Sequence, residues 1–278
     1  MNNKGLKLIN PFILPFLFIL CWQFFAIKIA NPIVLPSVDS VLNLIIKPTD
    51  NLLSIGSLLR NTWVSLVRVG MGYSLAVLIG IPLGMLIGYS KFAESFLKPF
   101  LSLFRPIAPL AWVPLVLAWF GVTSVANVLN IQEGQLYTLL DNVKISMLFI
   151  IFIGGFFPIL TNTIYGVKSV RNTLIDSAIT LGATKKDIFF KILFPAAMPS
   201  ILTGLRVGLG VAWMCLVSAE MLPGSIAGVG YLITHAYTLA RTDIVIAGMI
   251  SISLVGGFFE VMFNVIETKF FSWQKLDK

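Results

Sequence analysis

The sequence predicts an all-α integral membrane protein with about six transmembrane helices, on three observations. Hydrophobic residues make up 57% of the chain and charged residues only 12%, with a mean hydropathy of +0.92, whereas soluble domains carry roughly 25% charged residues. Runs at 11–29, 64–89, 99–120, 144–165, 196–220 and 244–267 each approach the roughly 20 apolar residues that a spanning helix needs. The basic residues behind the formal charge of +8 lie between these runs rather than in one patch. They read as topology signals and not as a nucleic-acid surface. A water-soluble globular fold is excluded.

The first run follows Lys4 and Lys7, exceeds a signal-peptide core in length and precedes no small-residue cleavage site, so it reads as an uncleaved span. An outer connection, 30–63, carries Pro32, Pro36 and Pro48. In the second run Gly80, Gly84 and Gly88 recur every four residues, a smooth stripe where another backbone can approach, from the same chain or from a second one. The third run is the least regular, because Pro99, Pro106, Pro109 and Pro114 interrupt it around Trp112 and proline removes helix hydrogen bonds. Such backbone persists in a membrane only when buried or lining a cavity. A second outer connection, 121–143, is rich in Asn, Gln and Asp. The fourth run leads into an inner connection, 166–195, the longest on that side. Gly204 and Gly208 repeat the glycine stripe on the fifth run.

With the N-terminus in the cytoplasm, the inner segments hold twelve basic residues, Lys275 and Lys278 among them, against five in the outer segments. That excess places both termini inside and makes the chain a multi-pass protein of the plasma membrane. Most tryptophans, Trp273 included, fall near span ends, as an aromatic belt requires. Arg68, Arg105 and Arg206 fall within spans. Charge at membrane depth is expensive and marks function by default, which draws attention to Arg105, Arg206 and Glu220. Glu220 lies at the outer end of its span and Arg105 among prolines near the inner half of the third run, positions where water can solvate both. Arg206 either attracts an anion to a pathway, or snorkels to the interface or pairs structurally. It lies 14 positions from Glu220 (220 − 206), about 21 Å along a helix, so the two do not pair. Trp112, Arg206 and Glu220 are the candidate path residues. Cys21 and Cys215 match no metal or redox spacing and read as packing residues, and His235, in an outer connection, has no companions for a metal site and reads as a solvated loop residue.

The inner connection is punctuated like two short helices. Thr173 with Asp176, and Thr184 with Asp187, have capping-box spacing, Gly182 suits the left-handed position that ends a helix, and Pro195 stops the second helix. Ile175, Ala178, Ile179, Ile188, Phe189 and Ile192 recur at helical spacing, so one face either docks on a partner or lies on the lipid surface.

These residues resemble the permease subunits of binding-protein-dependent ABC importers. That family carries Glu-Ala-Ala, three residues, Gly, nine residues, then Ile-x-Leu-Pro. Here Asp176-Ser177-Ala178 is followed by Gly182 and, after nine more, by Ile192-Leu193-Phe194-Pro195. Asp176 replaces Glu, Ser177 the first Ala and Phe194 the Leu. The resemblance implies a type I importer permease fold in a single transmembrane domain, 1–278, with its core at about 55–270 and its coupling loop at 166–195. It further implies coupling to the ATPase through Asp176, Ser177, Ala178, Gly182, Ala183 and Pro195. Gly80-Ile-Pro-Leu-Gly84, the stretch from Arg105 to Pro114, Trp119-Phe-Gly121, and Gly204-Leu-Arg-Val-Gly208 through Ala219-Glu220 resemble the nitrate, sulfonate, taurine and bicarbonate branch. The outer stretch between Gly121 and Lys144 is longer than the branch pattern.

No Gly-Lys dipeptide occurs, so there is no Walker A loop, and no nucleophile motif or His/Cys cluster is present. The expected function is the permease subunit, not an enzyme, of an ATP-driven importer for a small anion. The expected partners are two ATP-binding subunits carrying ATP and Mg, a second permease subunit as a homodimer, an extracytoplasmic binding protein and membrane lipid. No cofactor, metal or nucleic acid is expected on this chain. The alternative classes are an ion-coupled secondary transporter or channel, expected to show buried mid-span acids or inverted repeats, and a membrane scaffold, which has no use for a capped loop at this spacing.

Overall fold

A computed structural model describes residues 3–222 and 224–270. Trp273, Lys275 and Lys278, which figure in the belt and charge readings, lie outside the described residues, as do the side chains of Lys4 and Lys7. In chain order the helices are α1 (Asn3–Ile29), α2 (Val38–Ile46), α3 (Leu58–Tyr89), α4 (Lys91–Phe104), α5 (Val113–Phe120), α6 (Val125–Val128) and α7 (Gln135–Asp141). They continue with α8 (Ile145–Lys168), α9 (Asn172–Thr180), α10 (Lys185–Asp187), α11 (Phe194–Glu220), α12 (Val229–Thr238) and α13 (Thr242–Phe270). Among the described residues four helical units are long and apolar enough to cross a membrane: α3, α8, the continuous Lys185–Glu220 and α13. The bent pair Lys91–Phe104 and Pro109–Phe120 makes a fifth if counted as one span, and α1 adds the shorter apolar stretch Ile13–Ile29. The six expected segments are thus all helical, and the third is not a straight rod.

α8 is the centre of the core, packed between α3 and α11. Glycine permits this closeness. A Cβ on Gly84 would lie 2.7 Å from Thr163 Cβ, and one on Gly88 2.7 Å from Val167 Cβ, while Gly80 faces Ile159 Cγ2 at 3.1 Å. From α11, a Cβ added to Gly204 would lie 2.7 Å from Asn162 Cβ, and one added to Gly208 2.9 Å from Ile159 Cγ1. Both stripes are therefore occupied by α8 of the same chain, which leaves no room there for a second copy. Ala76, Ile151, Ile159, Ala212 and Leu216 are wholly buried around the same axis.

The third expected span turns through 81° between α4 and the Pro109–Phe120 segment. Pro109 explains the turn: Ala108 before it leaves helical geometry, at φ −57° and ψ 135°, as a residue preceding proline does, while Arg105 before Pro106 stays helical and neither proline donates a backbone hydrogen bond. Pro114 stands in the first turn of α5, where the missing N–H leaves nothing unsatisfied. Glu94 ties the inner end of α4 to α8 through ion pairs to Lys98 and Lys168.

α1 is held by its outer half, where Trp22 Nε1 donates to Pro36 O at 3.0 Å and Gln23 Oε1 accepts from Val38 N at 2.9 Å. Phe16, Phe18, Phe24 and Ile27 are exposed, as suits a helix solvated by acyl chains. The outer stretch 121–143 is folded rather than loose, with Ser124 capping α6 and Ser124 and Lys144 forming an isolated bridge. Two expectations are corrected here. Trp213 is not in a belt; it is buried, donates to Ile252 O and meets Phe259 edge to face. His235 is not a solvated loop residue, for it sits half-buried in α12 with its ring stacked on Tyr231.

Candidate functional site

The connection after α8 begins with an exposed helix. α9 buries none of its residues. The expected Thr173–Asp176 box does not form: the N-cap is Arg171, without a side-chain bond, and Thr173 O instead accepts from Ser177 Oγ. α9 ends in a Schellman turn, in which Ala183 N donates to Ala178 O and Gly182 N to Ile179 O, both at 2.9 Å. Gly182 takes φ +83°, the left-handed geometry that favours a residue without Cβ. Thr184 and Asp187 form the second capping box in full.

Pro195 does not end a helix. α10 runs through a π-helical turn, Ile188–Leu193, straight into α11, giving one helix Lys185–Glu220 of 36 residues. Phe194 N reaches back five residues to Phe189 O, so the ladder is already in i→i−5 register where the proline lacks its donor. The apolar residues of the connection split into two sets. Ile175, Ala183, Ile188, Phe189 and Ile192 pack inward against Met85, Val167 and Ala197. Leu174 at 52%, Ile179 at 55% and Leu181 at 88% exposure stand outward. Asp176 and Ser177 are exposed beside them, Ala178 is half-buried, and Pro195 is exposed.

The three candidate path residues are not brought together. Glu220, expected to be solvated, has no exposed surface; Arg68 Nη1 donates to its Oε1 at 2.7 Å. Ser65 Oγ donates to the same carboxylate at 2.8 Å, and Gly230 N, in the first turn of α12, donates to its Oε2 at 3.0 Å. Arg68 also donates to Asn142 O and Ala227 O, at 2.8 and 2.7 Å, and Asn61 Oδ1 accepts from Gly228 N at 2.9 Å. A Cβ on Gly228 would sit 2.3 Å from Glu220 Oε1, so only glycine fits there. One buried network therefore fastens α3, the end of the α7–α8 connection and the entry to α12 onto the outer end of α11. Asn61, Ser65 and Arg68 were legible as one face of α3 by their spacings of four and three. The partner, 152 positions away, was not.

Arg206 pairs across to α13, with Glu260 and Glu267 at 3.2 Å each and with Asn264. That is the structural pairing among its alternatives. Trp112 stacks on Phe104 and lies against Phe149 at ring distances of 6.0 Å, fixing the bent segment to α8.

The family described as binding-protein-dependent transport system inner membrane component matches residues 80–272. A relative from Methanocaldococcus jannaschii, named as an ABC transporter permease protein, is 49% identical over all of this chain and 96% of its own length. The taurine transport system permease protein of Escherichia coli is 30% identical over 91% of this chain and 84% of its own. Further relatives are named for nitrate import, aliphatic sulfonate transport and bicarbonate transport. Among solved structures, the inward-facing MetNI methionine ABC transporter superposes with a TM-score of 0.56 at 15% identity, covering 75% of this chain and 94% of that one.

Proposed function

The chain belongs to the family of binding-protein-dependent transport system inner membrane components, and from that premise we propose that it carries a small anion, nitrate- or bicarbonate-like or a sulfonate such as taurine. Membership already makes it a multi-pass permease subunit of an ABC importer rather than an enzyme, with ATP hydrolysis in separate subunits. ATP and Mg are bound by two such subunits and not by this chain; a second copy completes the permease, and a binding protein delivers the solute on the outer side. The substrate class rests on the relatives named for taurine, nitrate, sulfonate and bicarbonate transport.

α9 and the turn after it are the coupling element. The observation that carries this is the outward set Leu174, Ile179 and Leu181, apolar side chains on and just after α9 that nothing among the described residues covers. Asp176 and Ala178 lie on the same short helix, and Gly182 sets the turn that presents Leu181. Closure of the ATPases moves this element and biases the permease between inward- and outward-facing states. The test is to co-purify the permease with its ATPase after Leu181→Glu or Gly182→Val. A β-branched residue at φ +83° costs about 1 kcal/mol or more. Both variants are expected to lose ATPase retention and solute-stimulated hydrolysis while still inserting in the membrane. Wild-type values of both quantities would make the loop a lipid-surface hairpin instead.

A further inference from the structure

Of the three arginines within the apolar segments, two are neutralised by this chain. Arg68 has Glu220, and Arg206 has Glu260 and Glu267. Arg105, the C-cap of α4 at the 81° bend, has no carboxylate within ion-pair distance and no side-chain hydrogen bond among the described residues. It lines two adjoining clefts that share Arg105, Phe157 and Thr161. The cleft toward α11, of about 400 Å³, adds Asn162 and is walled by Val207 and Val211. The cleft toward the inner end of α8, of about 270 Å³, adds Ser102, Lys98 and Lys168. Both lysines share the single carboxylate Glu94, so this cleft carries net positive charge.

An unpaired guanidinium within a membrane-spanning segment is costly and persists where it meets water or a counter-ion. Its donors form a planar fork matched to oxyanions. Asn162 uses one amide hydrogen on Pro158 O and Thr161 its hydroxyl hydrogen on Phe157 O, which leaves the second amide hydrogen of Asn162 free to donate. We propose that Arg105, with Asn162 beside it, is an anion subsite of the translocation path, formed where the prolines break the third span against α8, with Thr161 on its wall. The proposal rests on the small-anion reading above and names the residues that read the charge.

A cysteine at position 161 tests it without knowledge of the solute. Thr161→Cys, in a Cys21→Ser background and in complex with the ATPase, is reacted with methanethiosulfonates bearing either a sulfonate or a trimethylammonium group. The ratio of anionic to cationic reaction rates is expected to fall about tenfold on Arg105→Gln, through loss of one nearby charge, and to be largely kept by Arg105→Lys. An unchanged ratio in Arg105→Gln, or no reaction with either reagent, overturns the subsite. Uptake of nitrate, bicarbonate and taurine by the unmodified complex is measured alongside. Uptake of none of them sinks the substrate reading whatever the ratio does, and uptake with an unchanged ratio sinks the subsite alone.

Discussion

At the scale of single residues, Glu220 shows how far a sequence reading reaches. Its place at the end of an apolar run was legible, and from there a solvated carboxylate was the natural expectation. Burial was not legible, because it depends on Arg68, Ser65 and Gly230 converging from segments far apart in sequence. The same limit hid which residues Arg206 pairs with, because they lie on another helix. The pair makes a sharp stability prediction. Glu220→Gln leaves Arg68 buried without its counter-charge, which is expected to cost about 3 to 5 kcal/mol. Adding Arg68→Met removes the stranded charge and should restore part of that loss, though the donors at Ser65 and Gly230 stay poorly matched. Thermal unfolding of the two variants in detergent checks this; a double variant no more stable than Glu220→Gln would contradict it.

Elements were read better than residues wherever one helix could be judged by its own composition. The six apolar runs and the glycine stripes needed only spacing, and the four prolines marked the broken span without disclosing its angle. Pro195 misled because its effect depends on the register of the preceding turn: in an α ladder it stops a helix, whereas after Ile188–Leu193 the helix continues. The partner of the glycine stripe was likewise a three-dimensional matter, settled by α8. Two substitutions on α3 separate a packing glycine from an idle one. Gly84→Ala drives a methyl toward Thr163 Cβ at 2.7 Å and Leu160 O at 3.1 Å, an overpacking expected to cost about 1 to 3 kcal/mol. Gly70 has nothing within 4 Å of its added carbon, so Gly70→Ala is expected to be neutral or to stabilise by about 0.5 to 1 kcal/mol. Melting temperatures that move together in the two variants would refute the distinction.

For the whole molecule, charge predicts an orientation. The inner connection carries Lys168, Arg171, Lys185, Lys186 and Lys191, while the outer stretch 121–143 has no lysine or arginine, and basic loops stay in the cytoplasm. Single cysteines at Ser169 and Gln132, treated with an impermeant thiol reagent in intact cells, are expected to label only at Gln132. Labelling of Ser169 from outside would invert the topology. Within that orientation the unbroken helix Lys185–Glu220 starts at the turn beside α9 and ends in the buried ion pair on the far side. It is a lever arm. At about 1.5 Å per residue it is about 54 Å long, so a tilt of about 5° at its cytoplasmic end displaces the other end by about 5 Å. That is more than the 2.7 Å separating Arg68 from Glu220. On the proposed coupling through α9, the outer loops pinned to this pair would ride with the arm or let go of it, so that a push of a few degrees from below would be read across the bilayer as a latch that either travels or opens.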